Sequence, residues 1–135
     1  VQEAAIASTR GLLAGAGLSE RVTLIHGSHG TMESHAPLGS VAVVMFNLGY
    51  LPGEDHALTT ESAETLSALD AAGRVLRPGG ILSIVCYPGH PAGAIEAEAV
   101  EAWLAGKTAV GWRVARYGAI GTKRPAPFLL VARIG

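Results

Sequence analysis

Helical and strand-like periods alternate along the chain. Residues 2–15 are strong helix formers, with Ile6, Leu12 and Leu13 spaced for one face and Gly15 and Gly17 as stops, predicting an amphipathic helix from Gln2 to Gly15. The stretch Arg21 to His26 alternates into Val22, Leu24 and Ile25, the pattern of a strand. Val41 to Phe46 is continuously apolar, as expected of a parallel strand buried on both faces. A helix follows, with Thr59 or Thr60 as its cap, Glu61 and Glu64 near its positive end, and Leu66, Leu69, Val75 and Leu76 inward. Arg77-Pro78-Gly79-Gly80 should end it, because proline cannot continue a helix and glycine supplies positive φ. Ile81 to Tyr87 is the next buried strand, and Ile95 to Leu104 the next helix, with Val100, Trp103 and Leu104 inward. Two last strands, near Trp112 to Ala119 and Phe128 to Ile134, flank a Gly/Pro-containing loop that suits an antiparallel pair.

This alternation predicts an α/β sandwich whose ligand lies at the carboxyl ends of parallel strands. Functional residues should then follow His26, Phe46 and Val85. The 135 residues make one domain. With 49% apolar and 16% charged residues, the chain builds a core and is not a disordered segment. No run reaches the ~18 apolar residues of a membrane helix and no secretory leader is visible, giving the expectation of a cytoplasmic protein. Cys86 is the single cysteine, which excludes an internal disulfide and argues against structural zinc. The net charge of −1 conceals an asymmetry. Up to Glu101, four arginines face all 11 acids, whereas Lys107, Arg113, Arg116, Lys123, Arg124 and Arg133 beyond it have no acidic counterpart. The C-terminal third could therefore offer a positive face to a polyanion, or simply carry scattered solvated charges.

Three clusters fall where the strands end. His26-Gly27-Ser28-His29 places a serine beside a histidine, but neighbours on an extended chain point apart and no carboxylate is placed to orient the imidazole, so ligand hydrogen bonding suits them better than a hydrolase triad. Asn47-Leu48-Gly49-Tyr50-Leu51-Pro52-Gly53 follows the apolar strand with an amide, an aromatic and a proline. The Asn47 carbonyl can accept from an amine N–H, and Tyr50 can stack on a base; ordinary turn chemistry is the bland alternative. Tyr87-Pro88-Gly89-His90-Pro91-Ala92-Gly93 is a stiff loop able to line a substrate pocket with Tyr87 and His90. No lysine followed by Ser or Thr makes it a P-loop, and no second ligand at regular spacing makes His90 a metal site.

Together these segments resemble the class I S-adenosylmethionine-dependent methyltransferases of the rRNA methylase family, which includes the tRNA 5-aminomethyl-2-thiouridine methyltransferase of the wobble position. The marks are Gln2 with Ala5 and Thr9, Arg21 to His26 with Ser28-His29, and Phe46 to Pro52 with Asp55-His56 and Thr59-Thr60. Gly79-Gly80, Tyr87, Gly89-His90, Gly93 through Glu96, Tyr117 and Pro127-Phe128 complete them. The Asn47 motif is similar to the Asn/Asp-Pro-Pro-aromatic motif with which amino methyltransferases hold an NH2 group.

The resemblance implies a Rossmann-like sheet of order 3-2-1-4-5-7-6 lacking its first two strands, with the antiparallel pair at its C-terminal end. The family's glycine-rich first motif and its acidic ribose ligand should precede Gln2. The chain as written is thus expected to be a partial methyltransferase domain over residues 1–135 that binds cofactor weakly or not at all. Its first strand should shift, pair with a second copy in a homodimer, or stay poorly ordered. By the same resemblance Gln2, Ser28, His29, Asn47 and Leu48 contact S-adenosylmethionine, and Asn47 and Tyr50 serve catalysis. Tyr50, His56, Tyr87, His90, Lys123 and Arg124 are the expected contacts to substrate, with RNA, above all tRNA, as partner and no metal. The implied reaction is methyl transfer to an RNA amine, foremost the aminomethyl group of a wobble 2-thiouridine. The alternatives are an rRNA or small-molecule amine as acceptor, or a non-catalytic remnant that binds RNA or a partner.

Overall fold

The chain folds as β-strands backed by two long helices, seen in a computed structural model that describes residues 3–49 and 58–135. Helix α1 spans Glu3–Gly15 and is followed by short 3-10 turns at Ser19–Arg21 and His29–Ser34. Strand β1 (Val41–Asn47), helix α2 (Leu58–Val75), strand β2 (Leu76–Cys86) and helix α3 (Pro91–Thr108) come next. Strands β3 (Arg113–Gly118) and β4 (Phe128–Arg133) close the chain. The sheet order is β1-β2-β4-β3, with β1 and β2 parallel and the other two pairings antiparallel. This is the 4-5-7-6 portion of the expected sheet, including its antiparallel C-terminal pair.

The core lies on one face of the sheet. Leu82, Ile84 and Cys86 of β2 alternate inward with Phe128, Leu130 and Ala132 of β4, against Leu69, Ala72, Val100 and Leu104 of the helices. Period-two burial in the strands meets period-3.6 burial in the helices, which is how two layers share one core. Trp103 Nε1 and Lys107 Nζ both donate to Asp70 Oδ1, at 3.0 and 3.2 Å, tying α3 to α2. Arg74 pairs with Glu33, fixing the second 3-10 turn to α2.

Five expectations need correction. The 22–26 segment contains no strand: it runs extended without a ladder, and Val22 and Ile25 stay 43% and 42% exposed. Its β-branched composition favours a strand, but a strand requires a partner, and none lies beside it among the described residues. Strand β1 is not buried on both faces, since Met45 is 78% and Val43 50% exposed while Phe46 is covered. Among the described residues it pairs with β2 alone, and Phe46 turns into the core on the opposite face. The Arg77-Pro78-Gly79-Gly80 stretch does not separate helix from strand; α2 ends at Val75 and β2 begins at Leu76. The ladder jumps instead from Val41–Leu76 to Val43–Ile81, leaving these residues as a bulge with Gly79 at φ 74°. Finally, α3 starts at Pro91 rather than Ile95, because His90 caps it and proline suits the first helical position. Helix α2 likewise begins at Leu58, ahead of the threonines expected to cap it.

Candidate active site

The parallel pair β1 and β2 brings its carboxyl ends together, with Asn47 opposite Val85. Leu48 N–H donates to the Val85 carbonyl at 3.0 Å, so the backbone is pinned on the far side of Asn47 as well. A cleft of about 280 Å³ opens at this edge. Ser28, His29 and Gly30 enter it from one side, Phe46 to Gly49 from the end of β1, Glu64 and Thr65 from α2, and His90, Gly93 and Glu96 from the start of α3.

Local chemistry holds each wall. Ser28 Oγ accepts from the Gly30 amide at 3.3 Å, capping the 3-10 turn that carries His29, and the His29 ring meets Phe46 edge-on at 6.2 Å between centroids. That hydroxyl therefore serves the turn. On the opposite wall His90 Nδ1 accepts from the Gly93 amide at 3.3 Å, which orients the imidazole and caps α3. A Cβ on Gly93 would lie 2.1 Å from the Tyr87 carbonyl oxygen, so only glycine lets the loop close on the helix start. Across the floor, Thr65 Oγ1 donates to Glu96 Oε1 at 2.6 Å. The described lining carries the carboxylates of Glu64 and Glu96 and neither lysine nor arginine, a charge balance that favours cationic or neutral ligand groups over phosphate.

Five of the expected site residues, Ser28, His29, Asn47, Leu48 and His90, thus line one cleft. Tyr87 and His90 line a second cavity next to it, and Gly49 belongs to both. Lys123 and Arg124 are exposed in the loop between β3 and β4, at the same end of the sheet. Gln2, Tyr50 and His56 lie outside the described residues. Sequence reasoning did not single out Glu64 or Thr65 for the site; Glu96 was visible only within the Gly93 to Glu96 mark. The basic C-terminal third is not one continuous face either. Arg116 pairs with Glu101 at 2.8 Å and covers the Phe128 ring, and Lys107 pairs with Asp70. Arg113 and Arg133 stand opposite one another at the far end of the sheet. Among the described residues, no group of three or more His, Cys, Asp or Glu is arranged to hold a metal ion.

The comparison with known families decides what this edge belongs to. A profile described as "Putative rRNA methylase" matches residues 1–133. The chain belongs to this family. An Arabidopsis thaliana relative, named "tRNA (mnm(5)s(2)U34)-methyltransferase, chloroplastic", is 45% identical over 116 residues, which cover 83% of this chain. The chain spans 42% of that relative's length. A solved structure of a "putative rRNA-methylase" from Clostridium thermocellum matches with a TM-score of 0.87 at 37% identity, over 98% of this chain and 71% of that one. A "putative methyltransferase" from Streptococcus mutans, solved in complex with SAH, matches with a TM-score of 0.84 at 29% identity, over 98% of this chain and 72% of that one. The four-stranded sheet is therefore part of a class I methyltransferase fold.

Proposed function

We propose that the protein transfers a methyl group from S-adenosylmethionine to an RNA amine, namely the aminomethyl group of a tRNA wobble 2-thiouridine. The observation that carries this reading is Asn47, held by the β1–β2 ladder at the edge of a cleft whose described lining has two carboxylates and neither lysine nor arginine. The name of the Arabidopsis relative and the SAH complex of the Streptococcus mutans structure support the same reading.

The donor set fits the cofactor. Glu64 and Glu96 suit a ligand bearing a sulfonium and an ammonium, and the His29 and Phe46 rings offer apolar faces beside Ser28. Ser28, His29 and Leu48 would hold its adenosine side, with Asn47 next to the reacting group. Bound there, S-adenosylmethionine supplies a methyl group activated by positively charged sulfur. Asn47 Oδ1 accepts an N–H of the acceptor amine, which aims the nitrogen lone pair into the cleft. The nearby carboxylates stabilise the amine as it acquires positive charge. An amine that has already lost its proton needs positioning and a dry pocket more than a strong base.

The test is incubation of the full-length protein with methyl-labelled S-adenosylmethionine and tRNA bearing 5-aminomethyl-2-thiouridine, followed by nucleoside analysis. Label on the side-chain nitrogen supports the reading. Label on a ring atom, or no transfer, contradicts it.

A further inference from the structure

Beyond Gly49, away from Ser28 and His29, lies a second cavity of about 520 Å³. Tyr87, Gly89, His90, Pro125 and Pro127 line it together with Gly49, and among the described residues no carboxylate, lysine or arginine does. It shares Gly49 and His90 with the cleft, so any path from the carboxylate-lined space to the apolar one runs past these two residues.

Three local features shape that path. A Cβ on Gly49 would sit 3.8 Å from the Tyr87 ring and 3.9 Å from Asn47 Oδ1, so this glycine separates the ring from the carboxamide with no side chain between them. At Gly89 a Cβ would meet only the Pro125 carbonyl, at 4.0 Å, so the far wall stands open for want of a side chain. Pro125 immediately follows Lys123 and Arg124, both exposed. The loop that supplies the apolar wall thus also carries basic side chains next to it.

Resting on the function proposed above, we infer that this second cavity seats the pyrimidine ring of the acceptor nucleotide. Its 5-aminomethyl arm passes Gly49 to Asn47, and its phosphates run along Lys123 and Arg124. A planar ring with an apolar face fits a wall of tyrosine and prolines, because stacking on such surfaces needs no matching charge. The phosphates suit the outer, basic part of the loop and are disfavoured in the carboxylate-lined cleft. The cavity therefore makes the enzyme select amines attached to a base over simple alkylamines.

The experiment is calorimetric titration of an anticodon stem-loop RNA carrying 5-aminomethyluridine at its wobble position into the full-length protein saturated with S-adenosylhomocysteine. Gly89→Leu, which fills the cavity from an exposed loop position, and Tyr87→Leu, which removes the stacking ring, are compared with wild type. Each is expected to lower RNA affinity about tenfold or more while S-adenosylhomocysteine binds as before. The unchanged binding also shows that each variant is folded. If both variants bind the RNA like wild type, the cavity assignment is overturned while the methyl-transfer reading stands. If wild-type protein binds S-adenosylhomocysteine but not the RNA, the cavity assignment and the RNA reading both fall.

Discussion

Thr65 and Glu96 join the two helices beneath the cleft: the Thr65 hydroxyl donates to Glu96 Oε1 at 2.6 Å, across 31 residues of sequence. Thr65→Val keeps the shape and removes the donor, leaving a half-buried carboxylate oxygen short of one partner. Stability should fall by about 1–3 kcal/mol, and Thr65→Ser should restore most of it. Urea unfolding of the three proteins measures both effects.

Gly93 and Gly106 lie in the same helix and should respond in opposite directions. A methyl at Gly93 meets the Tyr87 carbonyl at 2.1 Å, whereas at Gly106 nothing lies within 4 Å. Gly93→Ala should cost about 1–3 kcal/mol or more through forced movement of the loop. Gly106→Ala should add about 0.5–1 kcal/mol by relieving backbone entropy in a helix. Thermal or urea midpoints of the two variants, measured side by side, test the contrast.

Helix α1 was legible from its helix formers and glycine stops although it buries no residue, and the other well-placed elements are those that pack on one another. Strands β2 and β4 and helices α2 and α3 bury one another's apolar faces, so periodicity alone located them. The 22–26 segment has the composition of a strand without a neighbour to pair with, and a ladder belongs to two segments, not one. In β1 an apolar run looks the same whether one face or both are covered, so Met45 and Val43 could not be read as exposed. The site shows the same division. Ser28, His29 and Asn47 were visible because they follow apolar runs in the chain. Glu64 and Thr65 were not, because which side of α2 turns toward the cleft is set by its packing against α3.

Cys86 provides a pH signature. Burial pushes its thiol from 9.0 up to about 11, reinforced by the Glu96 and Glu101 carboxylates and partly opposed by Arg116. The folded state holds this proton more tightly than the unfolded chain does. The resulting stability is present below pH 9 and declines as pH rises from about 9 to about 11. Urea unfolding of wild type and Cys86→Ala at pH 8 and pH 11 should show the smaller decline in the variant. Native Cys86 should also react slowly with iodoacetamide at pH 8.

Lys123 and Arg124 should behave as phosphate contacts. Replacing both with alanine is expected to weaken tRNA binding irrespective of sequence and to reduce the salt dependence of log K by about 1.5. Affinities measured across a potassium chloride series give the slope. An unchanged slope would place the RNA surface elsewhere.

The most direct test of the account is Asn47→Ala in the full-length protein, with S-adenosylmethionine affinity measured by calorimetry and methyl transfer to tRNA measured on the same preparation. Asn47 is held here to position the acceptor amine, so kcat should fall about 100-fold while cofactor affinity stays close to wild type. A parallel loss of cofactor affinity, or turnover that survives the substitution, would contradict the central claim.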